Sequence, residues 1–64
     1  MHFTKRRFRF KRNLKDGTFF FEERSGYSHI DEVFLAAHTL TKAEVDVLSV
    51  DVYEEDKKLA TFYK

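Results

Sequence analysis

From Arg7 to Lys11 the chain alternates basic and aromatic residues, Arg7-Phe8-Arg9-Phe10-Lys11. That is the period of an extended strand, whose side chains point to opposite faces in turn. Asp16-Gly17 follows, a pair that favours a type I′ hairpin turn because both central positions take positive φ. A hairpin over about residues 5–23 is therefore expected. With Asp16 and Gly17 as a two-residue loop, Lys15 pairs with Thr18, Leu14 with Phe19, Arg12 with Phe21 and Lys11 with Glu22. Phe8, Phe10, Leu14, Phe19 and Phe21 then share a core face. Arg7, Arg9, Lys11, Asn13, Phe20 and Glu22 share a basic face with one exposed ring. A slip of one residue would exchange these sets.

Gly26 and Ser28 mark the next boundary. Ser28 fits an N-cap, with Asp31 placed where the helix dipole favours negative charge. Ile30, Val33, Phe34, Ala37 and Leu40 recur at helical spacing, predicting a helix over about 29–40 that covers the sheet, with Leu35 off the apolar stripe. Thr41 to Val52 supports two readings. Thr41-Lys42-Ala43-Glu44 has a capping-box pattern, whereas Val45, Val47, Val50 and Val52 suit a strand. The strand, over about 45–54, is the favoured reading. Glu54–Lys58 forms a charged turn, and Leu59–Tyr63 a last strand. The expected fold is α+β, a four-stranded β-sheet with one helix packed on one face, in the order β-β-α-β-β. With strands two and three outermost, the first and last strands would lie parallel in the centre, an arrangement compatible with a right-handed crossover. This element order resembles that of small grasp-type domains such as the immunoglobulin-binding domains of protein G. No sequence motif is shared, and the resemblance implies nothing about function.

The 64 residues form one domain, 1–64. A chain of this length buries only about 60% of the surface it exposes when unfolded. It has no cysteine for a disulfide or a thiolate zinc site, so eight Phe and three Tyr are expected to supply most of the buried area. No apolar run approaches the roughly 20 residues of a membrane span, and no apolar segment follows the basic start as in a secretory signal. A soluble cytoplasmic protein, or a nuclear one in a eukaryote, is expected. The net charge of +1 conceals an asymmetry: residues 1–24 hold eight Lys or Arg against three Asp or Glu, and residues 25–64 hold four against eight. Such a pattern bears on association.

Catalytic chemistry finds little purchase. His2, His29 and His38 lack the i, i+4 spacing of a helical metal site. There is no cysteine nucleophile and no glycine-flanked serine, and two glycines cannot build a phosphate-cradling loop. The expectation is a non-enzymatic binding protein with no cofactor and no metal. Arg7, Arg9 and Lys11 suit phosphates and Phe20 a stacked base, so DNA or RNA is the first expected partner. The alternative is a small protein-binding regulator or inhibitor, phage-type in size, acting alone or as a homodimer. Its interface would use Leu35 and a third strand that is apolar on both faces, with Val45, Val47 and Tyr53 on the side the helix leaves uncovered. Anionic lipid is a weaker third ligand, because no basic amphipathic helix accompanies the strand.

Overall fold

A computed structural model describes residues 6–64; His2 and Lys5, the first residue of the basic run, lie outside the described residues. The elements are β1 (Phe8–Leu14), β2 (Phe19–Arg24), α1 (Ile30–Ala43), β3 (Val47–Glu54) and β4 (Lys57–Tyr63). They form the expected α+β fold, one four-stranded sheet with a single helix packed against it. The strand order is β2-β1-β3-β4 and every neighbouring pair is antiparallel. The expected parallel pairing of the first and last strands is thus replaced by an antiparallel β1–β3 centre. The sequence of β3 explains this. Val50 and Val52 are buried on the helix side, while Ser49 and Asp51 on the other side are also largely covered. A strand shielded on both faces suits the interior of a sheet, whereas β4 begins with Lys57-Lys58, which suits an edge.

The first hairpin forms with its register shifted by one residue. Gly17 N–H donates to Leu14 C=O at 3.1 Å, and Leu14 N–H to Thr18 C=O at 2.9 Å. The loop is therefore three residues, Lys15-Asp16-Gly17. Gly17 has φ +90, while Glu55 is the one non-glycine residue with positive φ among those described. A type I′ turn needs positive φ at Asp16 as well; a type I turn closed by a left-handed glycine does not. Asp16 Oδ1 fixes this alternative by accepting from the Thr18 N–H at 2.9 Å and from its hydroxyl at 2.5 Å. Phe10 consequently pairs with Glu22, Lys11 with Phe21, Arg12 with Phe20 and Asn13 with Phe19. Phe8 and Phe10 are buried as expected. Phe19 and Phe21 are not: they are 55% and 44% exposed.

The helix carries the expected stripe. Val33 and Ala37 are buried, and Ile30, Phe34 and Leu40 pack at the core margin. It extends to Ala43, and the capping-box residues Thr41-Lys42-Ala43 form its last turn instead of starting a second helix. Buried Thr41 uses its hydroxyl to donate to His38 C=O at 2.6 Å. At the other end His29, not Ser28, is the N-cap, and Glu32 accepts from the Ser28 N–H at 3.0 Å. The helix lies over β3 and β4, leaving the helix side of β2 largely open. An irregularity between Asn13 and Leu14 in the β1–β3 ladder pairs Leu14 with Val47. This turns Val47 into the core beside Val50 and Val52. Its expected place on an uncovered face is corrected: Val47 is 1% exposed.

Candidate nucleic-acid interface

The ladders divide the sheet into two faces with different chemistry. In an antiparallel pair, residues directly opposite share a face. Phe8, Phe10, Arg12, Phe20, Glu22, Arg24, Val50, Val52 and Glu54 therefore face the helix side. Arg9, Lys11, Asn13, Phe19, Phe21, Glu23, Ser49, Asp51 and Tyr53 lie on the open side. Thr61 and Tyr63 of β4 join them opposite Asp51 and Ser49.

On the helix side the arginines are matched by carboxylates. Arg12 Nη2 donates to Glu22 at 2.6 Å and its Nη1 to Glu44 at 3.0 Å, tying β1 to β2 and to the end of α1. Its Nε is buried without a hydrogen-bond partner, and the guanidinium stands 5.4 Å from the Phe20 ring centre. Arg24 donates to the same Glu22 oxygen at 3.0 Å, and Arg6 pairs with Glu54. Burial tends to raise the Glu22 carboxyl, but the bonds from Arg12 and Arg24 outweigh it and hold the group below its ordinary value.

On the open side the cations stand over aromatic rings. Lys11 Nζ is 4.2 Å from the Phe19 ring centre and the Arg9 guanidinium 5.0 Å from that of Phe21. Both distances are in the range of a favourable cation–π contact. Phe19 and Phe21 meet edge to face at 5.9 Å, and Phe21 meets Tyr53 in the same way at 5.9 Å. A row of three rings thus runs from the β2 edge onto β3, crossed by two positive side chains from β1. Arg9 also reaches the β3–β4 turn, donating to Glu55 C=O at 3.0 Å with exposed Asp56 at 3.6 Å. Lys11 has no ion pair among the described residues. Arg7 is exposed just before β1 and lines a shallow depression with Arg9, Glu23 and Glu55.

The one acid at the middle of this face is neutralised within the sheet. Asp51 accepts from the Thr61 hydroxyl at 2.5 Å and from Asn13 Nδ2 at 3.1 Å, with Lys58 Nζ at 3.6 Å. Burial tends to raise the Asp51 carboxyl, and these partners outweigh it, holding it below 3.8. Asp51 is accordingly an ordered anion whose charge is largely consumed by its neighbours.

The structure therefore brings Arg7, Arg9 and Lys11 to the open side as expected, but separates Phe20 from them. Phe20 falls on the helix side because the hairpin register is shifted. Its place beside the cations is taken by Phe19 and Phe21. Tyr53, expected at a protein interface, joins the same ring row. Val45 lies 71% exposed in the turn between α1 and β3, and Leu35 is 65% exposed on the helix, away from Tyr53. Sequence reasoning overlooked Phe19, Phe21 and Asp51. No sequence signal separated the two registers, because Glu22 opposite Lys11 would also be a favourable pair; only its bonds from Arg12 and Arg24 in the fold decide it. Among the described residues no His, Cys, Asp and Glu side chains gather as a metal site, and no helix is long and apolar enough to cross a membrane. Compared with known proteins, the chain matches no family model, no curated protein and no solved structure.

Proposed function

We propose that this is a non-enzymatic binding protein that takes single-stranded nucleic acid on the open face of its sheet, in the cytoplasm. The observation that carries the reading is the contrast between the two faces. Cations stand over rings on both faces, but helix-side Arg6, Arg12 and Arg24 are each hydrogen-bonded to a side-chain carboxylate, whereas open-side Arg9 reaches only the exposed Asp56 at 3.6 Å and Lys11 has no ion pair among the described residues. Rings on a sheet stack bases without regard to sequence, and adjacent cations meet the phosphates between them. Phe19 and Phe21, with Tyr53 behind them, supply the stacking surface; Arg7, Arg9 and Lys11 supply the charge. A single strand fits better than a duplex, because a base must leave its stack to lie on a ring.

Fluorescence anisotropy with labelled single- and double-stranded oligonucleotides tests this. Binding should favour the single strand and fall with salt, with a slope of log K on log salt near −2 for about three phosphate contacts. Phe19→Ala and Phe21→Ala should each weaken binding by about 1–3 kcal/mol, and Phe20→Ala should change it little. Absence of binding at low salt, or an equal loss from Phe20→Ala, would overturn the reading.

A protein-binding regulator is the second reading, and one feature favours it. A shallow groove of about 400 Å³ runs along α1 beside Arg24, lined by Leu35, Ala36, Leu40 and Ala43. It lies on the opposite side of the sheet from the ring row, so Leu35→Asp would impair a protein ligand there without touching oligonucleotide binding.

A further inference from the structure

We propose that two copies of this chain pair through the outer edges of β2, antiparallel about Phe21, into one continuous eight-stranded sheet. This goes beyond the nucleic-acid reading and does not depend on it. In the dimer Lys11 faces a carboxylate, so the phosphate contacts of a dimer would rest on Arg7 and Arg9 and the three-contact slope belongs to the monomer. The two edges of the sheet differ. β4 carries Lys57 and Lys58 and an irregular ladder opposite Val52 and Tyr53, features that discourage a further strand. β2 reads Phe-Phe-Phe-Glu-Glu-Arg, with no lysine, no proline and an unbroken register. Nothing among the described residues pairs with its outer side.

The backbone sets the register of such a pair. Leu14 and Thr18 are hydrogen-bonded opposites, and the pattern alternates along an antiparallel ladder. Thr18, Phe20, Glu22 and Arg24 therefore turn their backbone groups toward β1. Phe19, Phe21 and Glu23 turn theirs outward. A two-fold axis at Phe21 pairs it with the partner's Phe21 and pairs Phe19 with the partner's Glu23, and the reverse. Every outward N–H and C=O of β2 is then used. A two-fold centred on any other residue of β2, Phe20 and Glu22 included, would leave at least one outward residue of this short strand opposite a residue outside it.

The side chains agree with this register. Glu23 is exposed and has no ion pair among the described residues. Lys11 stands over Phe19 and has none either. Across the two-fold, the partner's Glu23 arrives beside Phe19 and so beside Lys11. Each unpaired charge meets its opposite, twice per dimer, and the two Phe21 rings become cross-strand neighbours. The axis runs perpendicular to the sheet, so both helices lie on one side and both ring rows join on the other.

Site-specific cross-linking tests the register, since the chain has no native cysteine. Hydrogen-bonded opposites have Cα atoms about 5.5 Å apart, within disulfide reach. Phe21→Cys should therefore oxidise to a covalent dimer. Glu23→Cys should not, because its two copies would be offset by four residues, about 13 Å. Equal linking of both variants, or none of Phe21→Cys, would overturn the proposal. Sedimentation equilibrium of the unaltered protein should show a monomer–dimer equilibrium, and a monomer at every concentration up to about 500 µM, which leaves only millimolar pairing or weaker, would overturn it too. Lys11→Glu and Glu23→Lys should each weaken the dimer about threefold to tenfold, and the double variant should restore it. A double variant no tighter than either single one would show that the two residues do not meet.

Discussion

Arg12 and Asp51 show how single polar residues govern this small fold. Arg12 is a cation on the apolar side of β1, held by Glu22 and Glu44. It links the hairpin to the end of the helix where few apolar contacts do so. Asp51 plays the corresponding part on the open side, collecting Thr61, Asn13 and Lys58 from both neighbouring strands. Both Glu22 and Asp51 lie below their ordinary values of 4.5 and 3.8 in the folded chain. Glu54, through its bond from Arg6, and Asp16, through Thr18, shift the same way. The unfolded chain therefore binds protons more readily. The stability these carboxylates confer is complete above their ordinary values and is lost as pH falls through the lower folded ones. Thermal melts followed by circular dichroism should show the melting temperature dropping below about pH 4.5, with a shallower drop in the double variant Glu22→Gln, Asp51→Asn. An unchanged acid slope in that variant would assign the acid sensitivity to other groups.

At the scale of elements, the hairpin register decides which side chains reach the site. Its thermodynamic signature is direct. Phe10→Ala should cost roughly 3–5 kcal/mol, as a fully buried ring removed from a core. Phe21→Ala should cost only about 1 kcal/mol, the worth of an exposed ring in aromatic and cation contacts. Denaturant unfolding of the two variants distinguishes the observed register from the two-residue-loop alternative, in which both would be severe. The existence of the hairpin, the helical stripe and the charged second turn was legible in the sequence, because each rests on local chemistry. The register was not. Asp-Gly serves a two-residue turn or a three-residue turn equally well, and three consecutive phenylalanines give hydrophobic patterning nothing to choose between. The choice falls to Asp16 bonding Thr18 and to Arg12 and Arg24 gathering Glu22, one of them a contact ten residues apart. The ladder shift at Leu14 that carries Val47 into the core was hidden for a similar reason. It depends on how β3 leaves the helix, and the alternation Val45, Val47 continues unbroken through it. The two apolar faces of β3 were legible and suit an interior strand; what stayed hidden is that Ser49 and Asp51 line its covered open side, which becomes visible only once Asp51 is seen to be satisfied by its neighbours.

At the scale of the molecule, the basic first segment and the acidic remainder meet across the β1–β3 ladder and at the end of the helix. Arg6 and Arg12 find Glu54 and Glu44 there, and Arg9 reaches Asp56 in the β3–β4 turn. Neutralisation is nonetheless uneven. It is closest on the helix side, whereas along the ring row Arg9 reaches only exposed Asp56 at 3.6 Å and Lys11 has no ion pair among the described residues, so a molecule of net charge +1 presents two cations over aromatic rings there. A two-dimensional NMR titration of isotope-labelled protein with a single-stranded oligonucleotide tests that surface most directly. Resonances of Arg9, Lys11, Phe19, Phe21 and Tyr53 should shift in a saturable manner, while those of Phe20, Arg12 and Leu35 stay in place. Shifts concentrated on Phe20, Arg12 or the Leu35 groove, or no shifts at all, would contradict the assignment of the open sheet face as a nucleic-acid-binding surface.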